Sequence, residues 1–337
     1  MKAAVRDRYG APDVVYIEES DIPVPGPHDL LVRVHAASIN RADLDGILPR
    51  PGFTRLFMGV RRPRVRRVGI DVAGVVDAVG PAVTRFRPGD RVFADLFSVG
   101  QGAFAEYVSA PEKAFEIIPS TMRFEDAATL PHSAVMALQG LRLRNGDTFR
   151  PGDSVLIEGA SGNVGPFAVQ IAKSMGAIVT GVCATQKVDF VRSLGADHVI
   201  DYTQVDFRTT GERYDWILSA EPHHSLFSYR QALKPNGVYL TLGAPTTRTF
   251  FALLFGTLLS KATKHRMGLM LWWKPFHPPD VATLAELIAA GKVKPAIDRQ
   301  YPLAEVVDAL RYVDDGHAKG KVMIITREAG DSQGSSA

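Results

Sequence analysis

Hydrophobic and polar positions follow two different patterns along the chain of 337 residues. Up to about residue 120, short β-branched runs alternate with glycine, proline and other turn residues, which is typical of a mostly β region. From about Ala127 onward, apolar strands alternate with amphipathic helices, and this alternation predicts a doubly wound parallel sheet of the α/β class. After about Pro275 the short-strand pattern returns. We therefore expect an α/β domain inserted between two parts of one mostly β domain.

The predicted boundaries give two domains and a tail. The mostly β domain takes residues 1–125 and 276–327, and the α/β domain takes residues 126–275. Residues 328–337 are small and polar, so this tail is predicted to be disordered.

The clearest motif lies in residues 153–187. An apolar strand, Val155–Ile157, ends in glycines and is followed by an amphipathic helix and a second apolar strand. Gly159, Gly162 and Gly165 form a G-x-x-G-x-x-G pattern. In such a unit the glycines allow a sharp turn, a close approach of backbone to pyrophosphate, and tight packing of helix on strand. The phosphates bind at the helix N-terminus, so the motif predicts a dinucleotide site.

The end of the second strand indicates which dinucleotide is bound. NAD-binding units usually place an acidic residue there, which binds the ribose 2′-hydroxyl. Here the strand ends in CATQK, Cys183–Lys187, and the first carboxylate, Asp189, already belongs to the next helix. A small uncharged pocket beside Lys187 favours NADPH, because lysine attracts a 2′-phosphate that a carboxylate would repel.

Composition argues against several other classes of function. The net charge of +3 is too small to indicate nucleic-acid binding, and the basic cluster Arg61–Arg67 is interpreted as a solvated loop rather than an anion or membrane site. The single cysteine, Cys183, excludes an internal disulfide and a cysteine-based zinc site. The apolar segments Phe250–Leu259 and Met267–Trp273 are each too short to span a bilayer. No secretory signal is visible, so the expected compartment is the cytoplasm.

Eight motifs occur in order along nearly the whole chain. They are SINRAD (Ser38–Asp43), GIDVAGVVDAVG (Gly69–Gly80), FRPGDRVF (Phe86–Phe93), GAFAEYV (Gly102–Val108), ASGNVGPFAVQIAK (Ala160–Lys173), LGADHVIDY (Leu194–Tyr202), LKPNGVYLTLG (Leu233–Gly243) and GKVMI (Gly320–Ile324). Through them the chain resembles the zinc-free quinone oxidoreductase branch, zeta-crystallin-like, of the medium-chain dehydrogenases/reductases. The resemblance implies a Rossmann domain inserted in a GroES-like, mostly β catalytic domain. It also implies a homodimer paired through an edge strand of the Rossmann sheet, expected at Gly237–Leu242 with the apolar stretch after it.

The resemblance also implies NADPH as the cofactor. NADPH-dependent members have a lysine after the second strand and a tyrosine in the following I-x-Y segment, and Lys187 and Tyr202 match this pair. The phenol would donate a hydrogen bond to the phosphate, and the lysine would supply charge. The predicted cofactor site consists of Gly159, Ser161, Gly162, Asn163, Val164, Gly165, Thr185, Lys187, Tyr202, Leu242 and Gly243.

The positions that hold zinc in the alcohol dehydrogenases are replaced in this chain. That metal is held by a cysteine, the histidine of a G-H-E motif and a further cysteine or acid, and it polarises an alcohol oxygen. Here Gly69-Ile70-Asp71 stands at the G-H-E position and Asn40 stands at the cysteine position. We therefore expect no metal. The doublet His223–His224 is interpreted as an ordinary loop pair.

Without a Lewis acid, the expected chemistry is hydride transfer from nicotinamide to an electron-poor acceptor such as a quinone or a conjugated carbonyl. By family position, Asn40 and Asp43 would lie near the nicotinamide and the acceptor. Asn40 would donate a hydrogen bond, and Asp43 would orient it or relay a proton through water. An alternative is that both residues only cap the following helix.

Three features depart from the family pattern. Leu44-Asp45-Gly46 stands where many members carry a tyrosine, and Met136 stands where a threonine is usual. A long arginine-rich loop carries apolar residues that would make the acceptor pocket wide, namely Phe53, Phe57 and Met58. The leading prediction is a zinc-free NADPH-dependent reductase of quinones. An enone or 2-alkenal double-bond reductase and a non-catalytic NADPH-binding structural or sensor protein are the alternatives, and a zinc alcohol dehydrogenase is the least favoured.

Overall fold

The computed structural model describes residues 1–49, 52, 55–243, 255–256, 260 and 264–326. Within them the chain divides into two compact units. The first consists of Met1–His132, Pro275–Val281 and the chain from Ile297 onward, and the second consists of Ser133–Lys274 and Ala282–Ala296. The predicted tail at 328–337, Phe53, the side chain of Phe57 and most of the apolar segment 250–259 lie outside the described residues.

The first unit is built mainly from antiparallel strands. In its N-terminal part the strands are β1 (Lys2–Arg6), β2 (Val15–Glu19), β3 (Asp29–Ile39), β4 (Asp71–Val79), β5 (Arg91–Asp95), β6 (Tyr107–Pro111) and β7 (Phe115–Ile117). The helices are α1 (Arg41–Ile47), α2 (Arg55–Met58) and α3 (Phe124–Ala128). The long strand β3 is central, because it pairs with both β4 and β6. Its residues Leu30, Val32 and Val34 are fully buried and anchor the core.

The second unit contains the predicted doubly wound sheet. Its strands are β8 (Ser154–Glu158), β9 (Ile178–Cys183), β10 (His198–Asp201), β11 (Tyr214–Ser219), β12 (Leu233–Thr241) and β13 (Arg266–Leu269). Its helices are α4 (Val135–Gly140), α5 (Gly165–Ser174), α6 (Val188–Ser193) and α7 (Leu226–Gln231). Each described strand pair is parallel, in the order β10-β9-β8-β11-β12-β13. Numbered within the unit this is 3-2-1-4-5-6, the Rossmann order, so the predicted fold class is confirmed.

Helix α8 (Pro278–Ala289) begins in the first unit and lies mostly in the second. The chain then returns to the first unit with β14 (Ile297–Pro302), α9 (Val306–Asp314) and β15 (Lys321–Ile325). Strand β15 pairs antiparallel with β3 and parallel with β14. Helix α9 buries Val306, Ala309 and Leu310, whose spacing of three and four residues forms one apolar face. The mostly β fold is therefore completed by residues from both ends of the chain.

Two domain boundaries differ from those predicted. The first unit extends to His132 because α3 belongs to it, with the Phe124 ring stacked on His35 at 4.3 Å between centroids. Residues 282–296, which were assigned to the mostly β domain, belong to the second unit. There the Lys294 backbone N–H donates to Gln170 Oε1 at 2.8 Å, and Gln170 Nε2 donates to the Lys294 carbonyl at 3.0 Å. These bonds tie the segment to α5.

The expectation of a sheet edge at Gly237–Leu242 is wrong. Strand β12 is covered by β13, because Val238–Thr241 pairs in parallel with Arg266–Leu269. On this side, the edge strand of the described sheet is therefore β13. The homodimer stays a prediction, and β12 is not its edge strand. No helix in the described ranges is long and apolar enough to cross a membrane.

Candidate functional site

The glycine-rich turn between β8 and α5 has the backbone geometry that its sequence requires. Gly159 has a φ of +79°, which favours glycine and turns the chain sharply off β8. A Cβ at Gly165 would lie 2.2 Å from the Gly159 carbonyl oxygen, so only glycine allows α5 to pack this closely. A Cβ at Gly162 would meet a single neighbour among the described residues, the Gly159 oxygen at 3.5 Å. The face of Gly162 is therefore open to a ligand.

Helix α5 directs its N-terminus toward this turn. Its N-cap residue, Val164, has an apolar side chain that cannot cap the first-turn N–H groups, and Pro166 occupies the first turn. Ser161 is buried in the turn, while Asn163 and Val164 are half-buried. The open glycine face and the helix N-terminus together fit the pyrophosphate of a dinucleotide.

The ends of β9 and β10 bring together the residues predicted for the 2′-phosphate. Thr185 and Lys187 form a short 3-10 turn directly after β9. Tyr202 follows β10, its backbone N–H donates to the Cys183 carbonyl at 3.1 Å, and its side chain is 59% exposed. The Thr185 and Thr203 hydroxyl oxygens lie 2.8 Å apart, which joins the two strand ends. Leu242 and Gly243 follow β12 at the same edge, since the carboxyl ends of parallel strands meet there.

A carboxylate that the sequence analysis missed lies beside this group. Asp201, the last residue of β10, is the register partner of Cys183. It accepts hydrogen bonds from the Thr203 N–H and hydroxyl at 3.0 and 2.7 Å and from Gln204 at 2.9 Å. Hydrogen bonds from Thr185 and Thr203 lower the pKa of Asp201, so it is ionised. These neutral donors hold the carboxylate within its own loop.

In the first unit, polar side chains surround Asn40 at the start of α1. Asn40 is 1% exposed, and its backbone N–H donates to Asp43 Oδ2 at 2.7 Å, which is the predicted cap. Its side-chain Nδ2 donates to Asp71 Oδ2 at 2.9 Å, and its Oδ1 accepts from Lys321 Nζ at 2.6 Å. The Asn40 amide is therefore held at both ends by protein groups.

The network continues across three strands because of their register. Ser38 is the Cα partner of Asp71, and Asp71 is the Cα partner of Asp95. The Ser38 hydroxyl donates to Asp71 Oδ2 at 3.0 Å. The His132 N–H donates to Asp71 Oδ1 at 3.1 Å, and His132 Nδ1 lies 3.0 Å from Asp95 Oδ2. Lys321 joins the network from the start of β15, next to β3.

Burial controls the electrostatics of this network. Asp43 is 2% exposed, and burial together with the nearby charge of Asp71 raises its pKa to about 7. Burial likewise raises the pKa of Asp71 and lowers the pKa of Lys321. Burial opposes the charged form of His132, but the charge and hydrogen bond of Asp95 outweigh it and raise the His132 pKa. No hydrogen-bond partner for Asp43 Oδ1 lies in the described part of the chain. Asp43 can therefore take up or release a proton near neutral pH.

Sequence reasoning missed Lys321, Asp95 and His132, and gave Asp71 no role beyond the zinc comparison. One signal was available. Lys321 precedes the apolar run VMIIT, and a charge at the start of a buried strand requires a partner. Within the described ranges, no group of three or more histidine, cysteine, aspartate or glutamate residues is placed to hold a metal ion.

In the basic cluster Arg61–Arg67, Arg66 forms ion pairs with two acidic side chains. Arg66 Nε lies 2.6 Å from Asp7, and Arg66 Nη2 lies 3.0 Å from Glu18. Arg61 and Arg62 are exposed, as the interpretation of a solvated loop expects.

Of the positions that depart from the family pattern, Leu44 is buried on α1 in the first unit, while Met136 lies on α4 in the second unit.

Comparisons with known proteins agree with both units. The family model of the alcohol dehydrogenase GroES-like domain matches residues 26–120, and that of the zinc-binding dehydrogenases matches residues 194–324. The chain is 32% identical to mouse mitochondrial NAD(P)H oxidoreductase RTN4IP1, covering 96% of this chain and 89% of that protein. It is also 32% identical to the chloroplastic quinone-oxidoreductase QR1 of Triphysaria versicolor, covering 96% and 98%. A quinone oxidoreductase structure from Coxiella burnetii superposes with a TM-score of 0.84 at 27% identity, covering 97% and 99%.

Proposed function

Because the chain belongs to the zinc-free quinone oxidoreductase branch of the medium-chain dehydrogenase/reductase family, we propose that it uses NADPH to reduce a quinone or a similar electron-poor carbonyl. The coarser assignment follows from its relatives: the chain is an NAD(P)H-dependent oxidoreductase of the quinone-reductase type. The choice of NADPH and of the acceptor is the proposal.

The observation that carries the proposal is the buried carboxyl group of Asp43. Reduction of a quinone by NADPH consumes one hydride and one proton and gives a hydroquinone and NADP⁺. When bound, the nicotinamide supplies the hydride. Asp43, whose pKa is raised to about 7 by burial, holds a proton that the reduced acceptor oxygen can take up. Asn40 positions Asp43 through its backbone N–H, and Lys321 and Asp71 fix the Asn40 amide.

Support for NADPH comes from the ends of β9 and β10. Lys187 brings a positive charge to this edge of the sheet, and Tyr202 brings an exposed phenol. Asp201, the carboxylate at the end of β10, accepts hydrogen bonds from its own loop. The first acid after β9, Asp189, faces solvent on α6, where it pairs with Arg192 at 3.1 Å. These features favour a 2′-phosphate over a ribose hydroxyl.

The experiment is stopped-flow oxidation of NADPH by the purified protein. One series uses 1,4-benzoquinone and naphthoquinones, a second uses 2-alkenals, and NADH serves as the control cofactor. We expect fast reduction of quinones that is selective for NADPH. Reduction of alkenals alone would replace the proposal with a double-bond reductase. Tight NADPH binding without reduction of either acceptor would replace it with a binding or sensing role.

A homodimer and a cytoplasmic location remain predictions. The two curated relatives carry mitochondrial and chloroplastic names, so an organelle is the alternative location. Fractionation of the native source cells tests the location, and light scattering of the full chain tests the dimer.

A further inference from the structure

The loop that follows β11 packs directly against the glycine-rich turn. At Gly159, a Cβ would lie 3.4 Å from the Ala220 Cβ and 3.7 Å from the Glu221 Cβ. The Ala220 N–H also donates to the Glu158 carbonyl at 3.0 Å. Side chains of this loop therefore stand beside the turn that fits the dinucleotide phosphates.

A buried tyrosine fixes the backbone of the same loop. The backbone N–H groups of His223 and His224 donate to the Tyr229 hydroxyl at 3.2 and 3.4 Å. The Tyr229 hydroxyl in turn donates to Glu158 Oε2 at 2.6 Å, and the Ser219 hydroxyl donates to the same oxygen. Since Glu158 is the last residue of β8, this chain of bonds ties the loop to the strand that carries the glycine turn.

The two histidines of the loop differ in their surroundings. The half-buried His224 ring packs on Phe207 and Tyr229, with centroid distances of 5.3 and 5.8 Å. The exposed His223 ring lies 6.4 Å from the Tyr202 ring at an angle of 33°. One histidine therefore supports the loop, and the other stands beside a residue assigned to the 2′-phosphate.

We propose that His223 is a third side chain of the 2′-phosphate site, beside Lys187 and Tyr202, and that it increases the preference for NADPH over NADH. The proposal rests on the proposed use of NADPH. An imidazole N–H can donate a hydrogen bond to a phosphate oxygen, and only NADPH carries the 2′-phosphate. Removing the His223 side chain should therefore weaken NADPH binding and leave NADH binding unchanged.

The other charged groups near His223 set the size of this effect. Glu221 lies two residues before it, and Asp201 adjoins Tyr202; both carry negative charge that opposes phosphate binding. Lys187 adds positive charge from the end of β9. Burial raises the pKa of Glu158, while hydrogen bonds from Ser219 and Tyr229 and the nearby charge of His223 act against that rise. Because His223 is exposed, its own contribution is that of a single exposed hydrogen bond, about threefold in affinity.

The test measures dissociation constants of NADPH and NADH for the full chain by fluorescence, without any acceptor. His223→Gln is expected to lower the NADPH/NADH preference about threefold relative to the wild type. His224→Gln is the matched control, and we expect it to keep the wild-type preference.

His223→Lys gives a second, opposite test. It places a permanent positive charge at this position, so its NADPH/NADH preference should be at least as high as that of the wild type. Equal preferences of wild type and His223→Gln, with NADPH still bound, would overturn the role of His223. A wild-type protein that binds NADPH and NADH equally well would contradict the proposed cofactor itself, which is a distinguishable result.

Discussion

In the second unit, the predicted cofactor residues stand at the carboxyl ends of parallel strands, and Thr185 and Tyr202 face solvent. In the first unit, the polar side chains around Asn40 are almost fully buried and bond to one another. The first arrangement is made from residues of one continuous segment, 159–243. The second depends on contacts such as Lys321 to Asn40, which are 281 residues apart. A binding surface can thus be built locally, whereas a buried proton-holding group needs partners that only the complete fold supplies.

The largest effect is expected from breaking the buried network at Lys321. In Lys321→Met, Asp71 and the Asn40 amide lose their buried cation, so the free energy of unfolding should fall by about 3–5 kcal/mol. Denaturant titration measures this change. The control is Lys319→Met at an exposed position of the same segment, which should stay within about 0.5 kcal/mol of the wild type. Equal stability of the two variants would show that the network is not held by Lys321.

The second prediction concerns the proton on Asp43. Asp43→Asn keeps an oxygen that can accept the Asn40 N–H but removes the proton, so kcat with a quinone should fall about a hundredfold. Steady-state kinetics check this, with tight NADPH binding as the sign of an intact second unit. An unchanged kcat would remove Asp43 from the reaction.

The same carboxyl group predicts a direction for the pH dependence. Its pKa in the folded protein is raised from 3.8 to about 7, so the protonated form is present below about pH 7 and lost above it. We therefore expect wild-type kcat to fall as the pH rises through about 7. The folded state binds this proton more tightly than the unfolded chain does, so the contribution of Asp43 to stability also decreases between about pH 4 and pH 7. Asp43→Asn should lack both trends, and a wild-type profile flat from pH 6 to 8 would contradict them.

Two glycine substitutions test which positions of the glycine-rich turn are needed for packing and which for binding the pyrophosphate. Gly165→Ala places a Cβ 2.2 Å from the Gly159 oxygen and should cost about 1–3 kcal/mol of stability. Gly162→Ala meets a neighbour only at 3.5 Å within the described chain, so stability should hold while the Cβ obstructs the pyrophosphate. Thermal unfolding and NADPH titration separate the two results. Strong NADPH binding by Gly162→Ala would place the pyrophosphate elsewhere.

The smallest effect is expected at Lys187. Removing its charge in Lys187→Ala should weaken NADPH binding by about 1 kcal/mol and leave NADH binding unchanged, because only NADPH carries the 2′-phosphate. Fluorescence titration with both dinucleotides measures the difference. Equal weakening for the two cofactors would assign Lys187 to a group that they share.

The sequence predicted much of the second unit, because its signals are local. The spacing of Gly159, Gly162 and Gly165 implies a turn whose geometry the structure shows at each position. The alternation of strands and helices likewise predicted the parallel sheet. The same alternation did not predict the edge strand of the sheet. Strand β13 lies in a segment interpreted only as apolar, and its pairing with β12 depends on the path of the intervening chain. The placement of residues 282–296 failed for a similar reason, because it depends on bonds between Gln170 and Lys294.

The candidate site in the first unit was predicted only in part. Asn40 and Asp43 were recognised through a family motif, and their cap hydrogen bond could be read from their spacing. Asn40 was expected to donate to the acceptor, but its amide is directed at Asp71 and Lys321, which gives it a positioning role in the proposal. The pairing of His132 with Asp95 could not be predicted, because it requires the register of three strands and the position of the chain after α3.

The central claim is that Asp43 holds a proton near neutral pH, and difference infrared spectroscopy tests it most directly. Spectra of the wild type minus Asp43→Asn, taken from about pH 5 to pH 9, isolate the carboxylic acid band of this residue. The account predicts that the band disappears on raising the pH, with a midpoint near the raised pKa of about 7. The absence of the band throughout this range would show that Asp43 is an ordinary ionised helix cap and would contradict its role as a proton donor.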